Sequence, residues 1–130
     1  MDYFFSALLE NTSFADAIDK TKAALKEEGF GVLSEINIKD TLKNKIDADI
    51  DAYTILGACS PKHAYQAIQT EPNIGVFLPC NVIVKQISDN KIEISAVDPI
   101  ASMGSVENKN LASVAQDVES KLKKVIASLK

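Results

Sequence analysis

The heptapeptide YTILGAC, residues 53–59, restricts the fold more than any other part of the chain. As a strand it places Tyr53, Ile55, Gly57 and Cys59 on one face and Thr54, Leu56 and Ala58 on the other. Apolar character on both sides suits a central strand with a neighbour along each edge. The chain must then leave the sheet at once, because Ser60 can cap a helix and Pro61 can open it at its first position. Ala64, Ala67 and Ile68 give that helix a thin apolar stripe of small residues, which lets it lie close to a sheet. Glu71-Pro72 ends it, and Gly75 falls in the following loop.

The neighbours of this strand are also legible. Residues 82–87 and 92–97 alternate around Ser88, Asp89, Asn90 and Lys91, which predicts a hairpin with a polar four-residue turn. Residues 3–9 are aromatic and apolar and read as another strand. Asn11, Thr12 and Ser13 then offer caps for a helix carrying Phe14, Ala17, Ile18, Thr21, Ala24 and Leu25, stopped by Gly29. Residues 31–37 predict a strand with Val32, Ser34 and Ile36 on one side and Leu33, Glu35 and Asn37 on the other. Ile38, Leu42 and Ile46 recur every four residues and mark a short helix. A long amphipathic helix closes the chain through Leu111, Val114, Ala115, Val118, Leu122, Val125, Ile126 and Leu129. Lys121, Lys123, Lys124 and Lys130 gather toward its end, where the helix dipole favours cations. The order predicts an α+β class: a largely antiparallel sheet with helices packed on one face.

At 130 residues, with no linker or repeat, a single domain over 1–130 is expected. A chain of this size buries roughly two thirds of its unfolded surface and needs no covalent staples. A net charge of -4 argues against a nucleic-acid backbone as main partner. YFFSALL is too short to span a bilayer and follows Asp2 rather than a basic residue. Neither a membrane partner nor a nucleic acid is expected, and the default location is the cytoplasm. Asp47, Asp49 and Asp51 alternate as in a calcium loop, but the glycine and terminal glutamate of such a loop are missing, so a solvated turn is expected.

YTILGACSPKHAYQAI, GVFLPCNVIVKQ and VDPIASM together resemble the bacterial and archaeal family known as domain of unknown function 302. GFGVLSEINIKDTLKNKI and the last helix resemble its earlier and closing segments, so the likeness covers the whole chain. The resemblance implies a TATA-binding-protein-like fold of β-α-β(4)-α arrangement, often seen as a homodimer, and no established activity. The fold likeness carries no implication of DNA binding. The family pattern leads one to expect a basic residue where Thr54 stands and an asparagine where Ser60 stands.

Chemistry can gather in one region, because both cysteines and the one histidine lie between residues 59 and 80. Cys59 precedes a helix start, where free amides and partial positive charge stabilise a thiolate. His63, one turn on, is placed to act as its base. Against this, free cysteine is among the most buried residue types, and packing is an equal reading. Hairpin register sets Cys80 opposite roughly residue 99, so Cys80 and Asn81 are expected beside Asp98 and Pro99. A nearby carboxylate would raise the thiol pKa. Asp98 itself reads most simply as a turn or cap residue.

A helix of about eleven residues spans roughly 16 Å, and the six that follow can cover nearly 20 Å. The two thiols therefore meet or stay apart with equal ease. Glu35 and Glu71 are the other carboxylates of interest, and both read as solvated. No phosphate loop, dinucleotide fingerprint or serine-hydrolase elbow is present. A single histidine excludes a multi-histidine metal centre within one chain.

Three functions fit. The first is a small-molecule or soft-metal binding domain with Cys59, Ser60, His63, Cys80, Asn81 and Asp98 at the site. The second is a thiol-dependent redox or sulfur-transfer protein with Cys59 as the reactive thiolate. The third is a structural partner domain whose thiols are core.

Overall fold

The computed structural model describes residues 2–130. Five strands, β1 (Phe4–Glu10), β2 (Gly31–Asn37), β3 (Tyr53–Cys59), β4 (Cys80–Ser88) and β5 (Lys91–Val97), form one sheet in the order β1-β5-β4-β3-β2. Every neighbouring pair is antiparallel. The helices are α1 (Phe14–Glu27), α2 (Ile38–Ile46), α3 (Pro61–Thr70), α4 (Pro99–Ser102) and α5 (Lys109–Leu129). The stretch expected to be a loop after α3 is a 3₁₀ segment, Pro72–Phe77. β3 is interior, as its two apolar faces require, but β4 holds the middle of the sheet.

The main core lies between α1, α5 and one face of the sheet. That face presents Ala7, Leu56, Ala58, Val82, Val84, Ile92, Ile94 and Ala96, all buried. α1 begins where Ser13 accepts the Asp16 amide and ends where sequence placed it. There the Gly29 amide donates to the Lys26 carbonyl and the Phe30 amide to the Leu25 carbonyl. These two bonds form a Schellman closure, which needs the positive φ of +84° that glycine adopts freely. Phe30 then packs into the same core cluster as Leu25. Burying a side chain of this size contributes about 1.5–3 kcal/mol, so the glycine stop also places a core anchor.

α5 buries the predicted stripe, with Val114 only partly covered. Its lysines, however, are not a terminal cap: no basic residue occupies the last turn before Lys130. Lys123 instead pairs with Glu119 at 3.3 Å and lies over the Phe5 ring. At the start of α5, Asn108 accepts the Asn110 and Leu111 amides while its side-chain amide donates to the Thr70 carbonyl and to Glu71. One residue thereby ties the end of α3 to the start of α5. Beneath that tie, Ala67, Ile74, Met103, Leu111 and Ala115 form a second, smaller core.

Two bulges change the expected registers. Between Val32 and Ser34 the β2–β3 ladder shifts, leaving Leu33 as the extra residue and 70% exposed. Val32 therefore pairs with Ala58 toward the helices, whereas Ser34 and Ile36 pair with Gly57 and Ile55 on the other face. The hairpin slips in the same way between Gln86 and Ser88, which shortens its turn to Asp89-Asn90. The acidic 47–51 segment is the solvated turn expected: Lys43 binds Asp47 at 2.7 Å and Asp49 at 3.3 Å.

The second face of the sheet carries three cross-strand rows. One is Ile36, Ile55, Ile83, Ser95 and Ser6, another is Tyr53, Lys85, Glu93 and Leu8, and the third includes Ser34, Gly57 and Asn81. Only glycine fits at 57, since a Cβ there would overlap the Ser34 hydroxyl and come within 2.9 Å of the Pro79 ring.

Candidate functional site

The end of the β3–β4 pair, where α3 folds over the sheet, holds a small pocket with about 30 Å³ of free space. Its position follows from the sequence. β3 stops at Cys59, Pro61 opens α3, and the small residues Ala64 and Ala67 let the helix close down. The chain returns through Leu78 and Pro79 to Cys80. Pro99 and Met103 from the α4 region and Leu111, Ala115 and Val118 from α5 complete the wall. The lining draws Ala58, Cys80 and Val118 from the main core and Ala67, Met103 and Leu111 from the smaller one, so the pocket is the seam between them.

Cys59, Ser60, His63 and Cys80 all border this pocket; Asn81 and Asp98 do not. Cys59 is half-buried and Cys80 is 8% exposed, and both are free thiols. Strict alternation would send them to opposite faces, because Cys80 pairs with Ala58 rather than Cys59. They border one space because the pocket caps the end of the sheet instead of lying on a face.

Asn81 is exposed on the second face, in a groove of about 260 Å³ with Tyr3, Phe4, Tyr53, Lys85 and Glu93. The expectation that it joins Cys80 is therefore corrected: adjacent strand residues point apart. Asp98 caps α4 by accepting the Ile100 amide at 3.0 Å, and Pro99 is the residue that reaches the pocket. Burial pushes the Cys80 thiol up to about 11, with a further rise from nearby Cys59. Desolvation thus does what the sequence reading assigned to Asp98.

Ser60 occupies the cap position of α3, but its side chain accepts no helix amide. Its hydroxyl lies 2.7 Å from His63 Nδ1 instead, which occupies that ring nitrogen and leaves Nε2 free. Burial depresses the His63 pKa below 6.5; Asp117 opposes the shift, while Lys121 and Lys62 add to it. The imidazole is neutral at pH 7. Asp117 and Lys121 were missed in the sequence because only the packing of α5 against α3 brings them near.

Thr54 is buried on the covered sheet face opposite Val84 and does not line the pocket. Glu35 pairs with Lys22 at 2.5 Å, and Glu71 accepts from Asn108 at 3.3 Å. Among the described residues, no three His, Cys, Asp or Glu side chains converge as a metal centre. No helix among them is long and apolar enough to cross a membrane.

Sheet, one-sided helical cover and terminal pocket define a small α+β domain with two thiols at a seam between cores. The sequence profile described as "Domain of unknown function DUF302" matches residues 6–129. The chain belongs to that family. Its structure is similar to the crystal structure of an uncharacterized conserved protein DUF302 from Bacillus stearothermophilus, at 25% identity, with 100% of each chain covered and a TM-score of 0.90. No curated protein matches the chain.

Proposed function

We propose that the chain works as one domain that binds a small ligand at the pocket beneath α3. The observation that supports this is the distribution of polarity. The wall is apolar except where Cys59, Ser60 and His63 gather on one side, with the buried Cys80 thiol nearby. Apolar walls with a few polar groups are the usual make-up of a ligand site. The free space of about 30 Å³ admits one ion or the end of a longer molecule. The thiol-enzyme reading has less support, because the hydrogen-bond partner of His63 Nδ1 is Ser60 rather than Cys59. Two unlinked thiols suit a reducing compartment, and we place the domain in the cytoplasm on that ground.

A panel of small amphiphiles, each with one apolar end and one polar head, tests the site by amide chemical-shift mapping. Shifts are expected at Cys59, Ser60, His63, Ala64 and Cys80. Shifts confined to the groove around Tyr53 and Asn81 would instead move the site to the second face.

We further propose that this second face receives a second copy of the chain. Phe4, Leu8 and Ile36 are exposed there at 37–46%, beside half-buried Ile55 and Ile83 and the Lys85–Glu93 pair. Exposed apolar side chains on a sheet face that no helix covers, interspersed with a charged pair, suit an association site. Sedimentation equilibrium is expected to give a dimer, and Ile83→Glu a folded monomer. Identical masses for the two proteins would remove the second face as the interface.

A further inference from the structure

Resting on the pocket reading above, the chemistry of the wall narrows the occupant. No carboxylate lines the pocket, so hard cations such as calcium or magnesium find no oxygen cage there. Zinc prefers four nitrogen or sulfur ligands, and no cluster of even three metal-binding side chains exists among the described residues. Two thiols remain. Cys80 is over nine-tenths buried and forms no disulfide. Cys59 borders the same space.

Soft thiolates select soft ions, Cu(I) foremost. A monovalent ion of that kind is satisfied by two thiolates, sheds its water readily, and fits about 30 Å³. Binding exchanges two S–H bonds for two metal–sulfur bonds and releases two protons, with no electron transferred. The resulting complex carries one net negative charge. The start of α3, where the Ser60 side chain accepts no amide, offers it compensation.

We propose that Cys59 and Cys80 form a two-coordinate thiolate site for a soft monovalent cation, with Cu(I) as its biological representative.

The test is an anaerobic titration with Cu(I) alone, against a chromophoric Cu(I) chelator. One ion per chain is expected, with about two protons released in weak buffer as metal–thiolate bonds form. X-ray absorption should show two sulfur neighbours. Cys59→Ala and Cys80→Ala should each weaken binding by more than about 100-fold, the most that losing an outer-shell partner costs. If Cys80→Ala fails to fold, the sulfur count on the unmodified chain decides. One sulfur, half an ion per chain, or undiminished binding by Cys80→Ala would overturn the site. No Cu(I) binding, with amphiphile shifts still at Cys59 and Cys80, would reject the ion but keep the pocket. Silence in both experiments would reject both.

Discussion

Raising the pH from 8 to 11 is expected to destabilise the native chain by about 2–3 kcal/mol more than it destabilises Cys80→Ala. The cause is the rise of the Cys80 pKa from 9.0 to about 11, led by burial. The sign follows from proton counting. Below pH 9 both folded and unfolded chains hold the Cys80 proton, and its linkage contribution is intact. Between 9 and 11 the unfolded chain gives up that proton while the folded chain keeps it, so unfolding gains ground with each increment of pH. Above 11 both forms are ionised and the loss is complete. The other ionisable groups are common to both proteins, so their contributions cancel in the difference. Urea denaturation followed by circular dichroism across this range measures it. Parallel stability curves for the two proteins would show that the thiol is not buried in an apolar environment.

A second large effect separates two adjacent residues of β3. Leu56→Ala is expected to cost about 2–5 kcal/mol, because the side chain is fully buried between the sheet and the helices and its removal leaves a cavity. Ile55→Ala should cost about 1 kcal/mol in a dilute, monomeric sample, the ordinary size of a substitution outside a packed core. Ile55 points to the second face, where its neighbours Ile36 and Ile83 leave it half-buried. Equal losses from the two substitutions would mean that both sheet faces are covered within one chain. At higher concentration Ile55→Ala should also weaken the proposed dimer.

What sequence disclosed and what it hid divide along one line. Gly29, the Pro61 start of α3 and the stripe of α5 were legible, because each depends on residues within one or two turns. That Cys59, Ser60 and His63 lie together was also within reach, since they are near neighbours in sequence; that Cys80 borders the same pocket was not, because the return after α3 could end at either end of the helix. The bulges at Leu33 and between Gln86 and Ser88 were not legible. A bulge is decided by the partner strand, and that partner is named nowhere in the local pattern. Asp98 is the cap residue that its place before Pro99 led one to expect, whereas the misplaced Asn81 shares this origin, since a side chain's face is a tertiary fact. The same holds for Ser60, read as a cap; the choice between a helix amide and His63 depends on how α3 meets the sheet.

The bulge in β2 bears on what the edge of the sheet can recruit. β2 and β1 are the two rims of the sheet, and each carries backbone groups that no strand satisfies on its outer side. A long flat rim recruits strands from other molecules and seeds filaments. At Leu33 the extra residue interrupts the even spacing of those groups and increases the local twist, so an incoming strand loses register after a few residues. Removing Leu33 would straighten this rim. The irregularity thus works against open-ended growth by strand addition at the β2 rim.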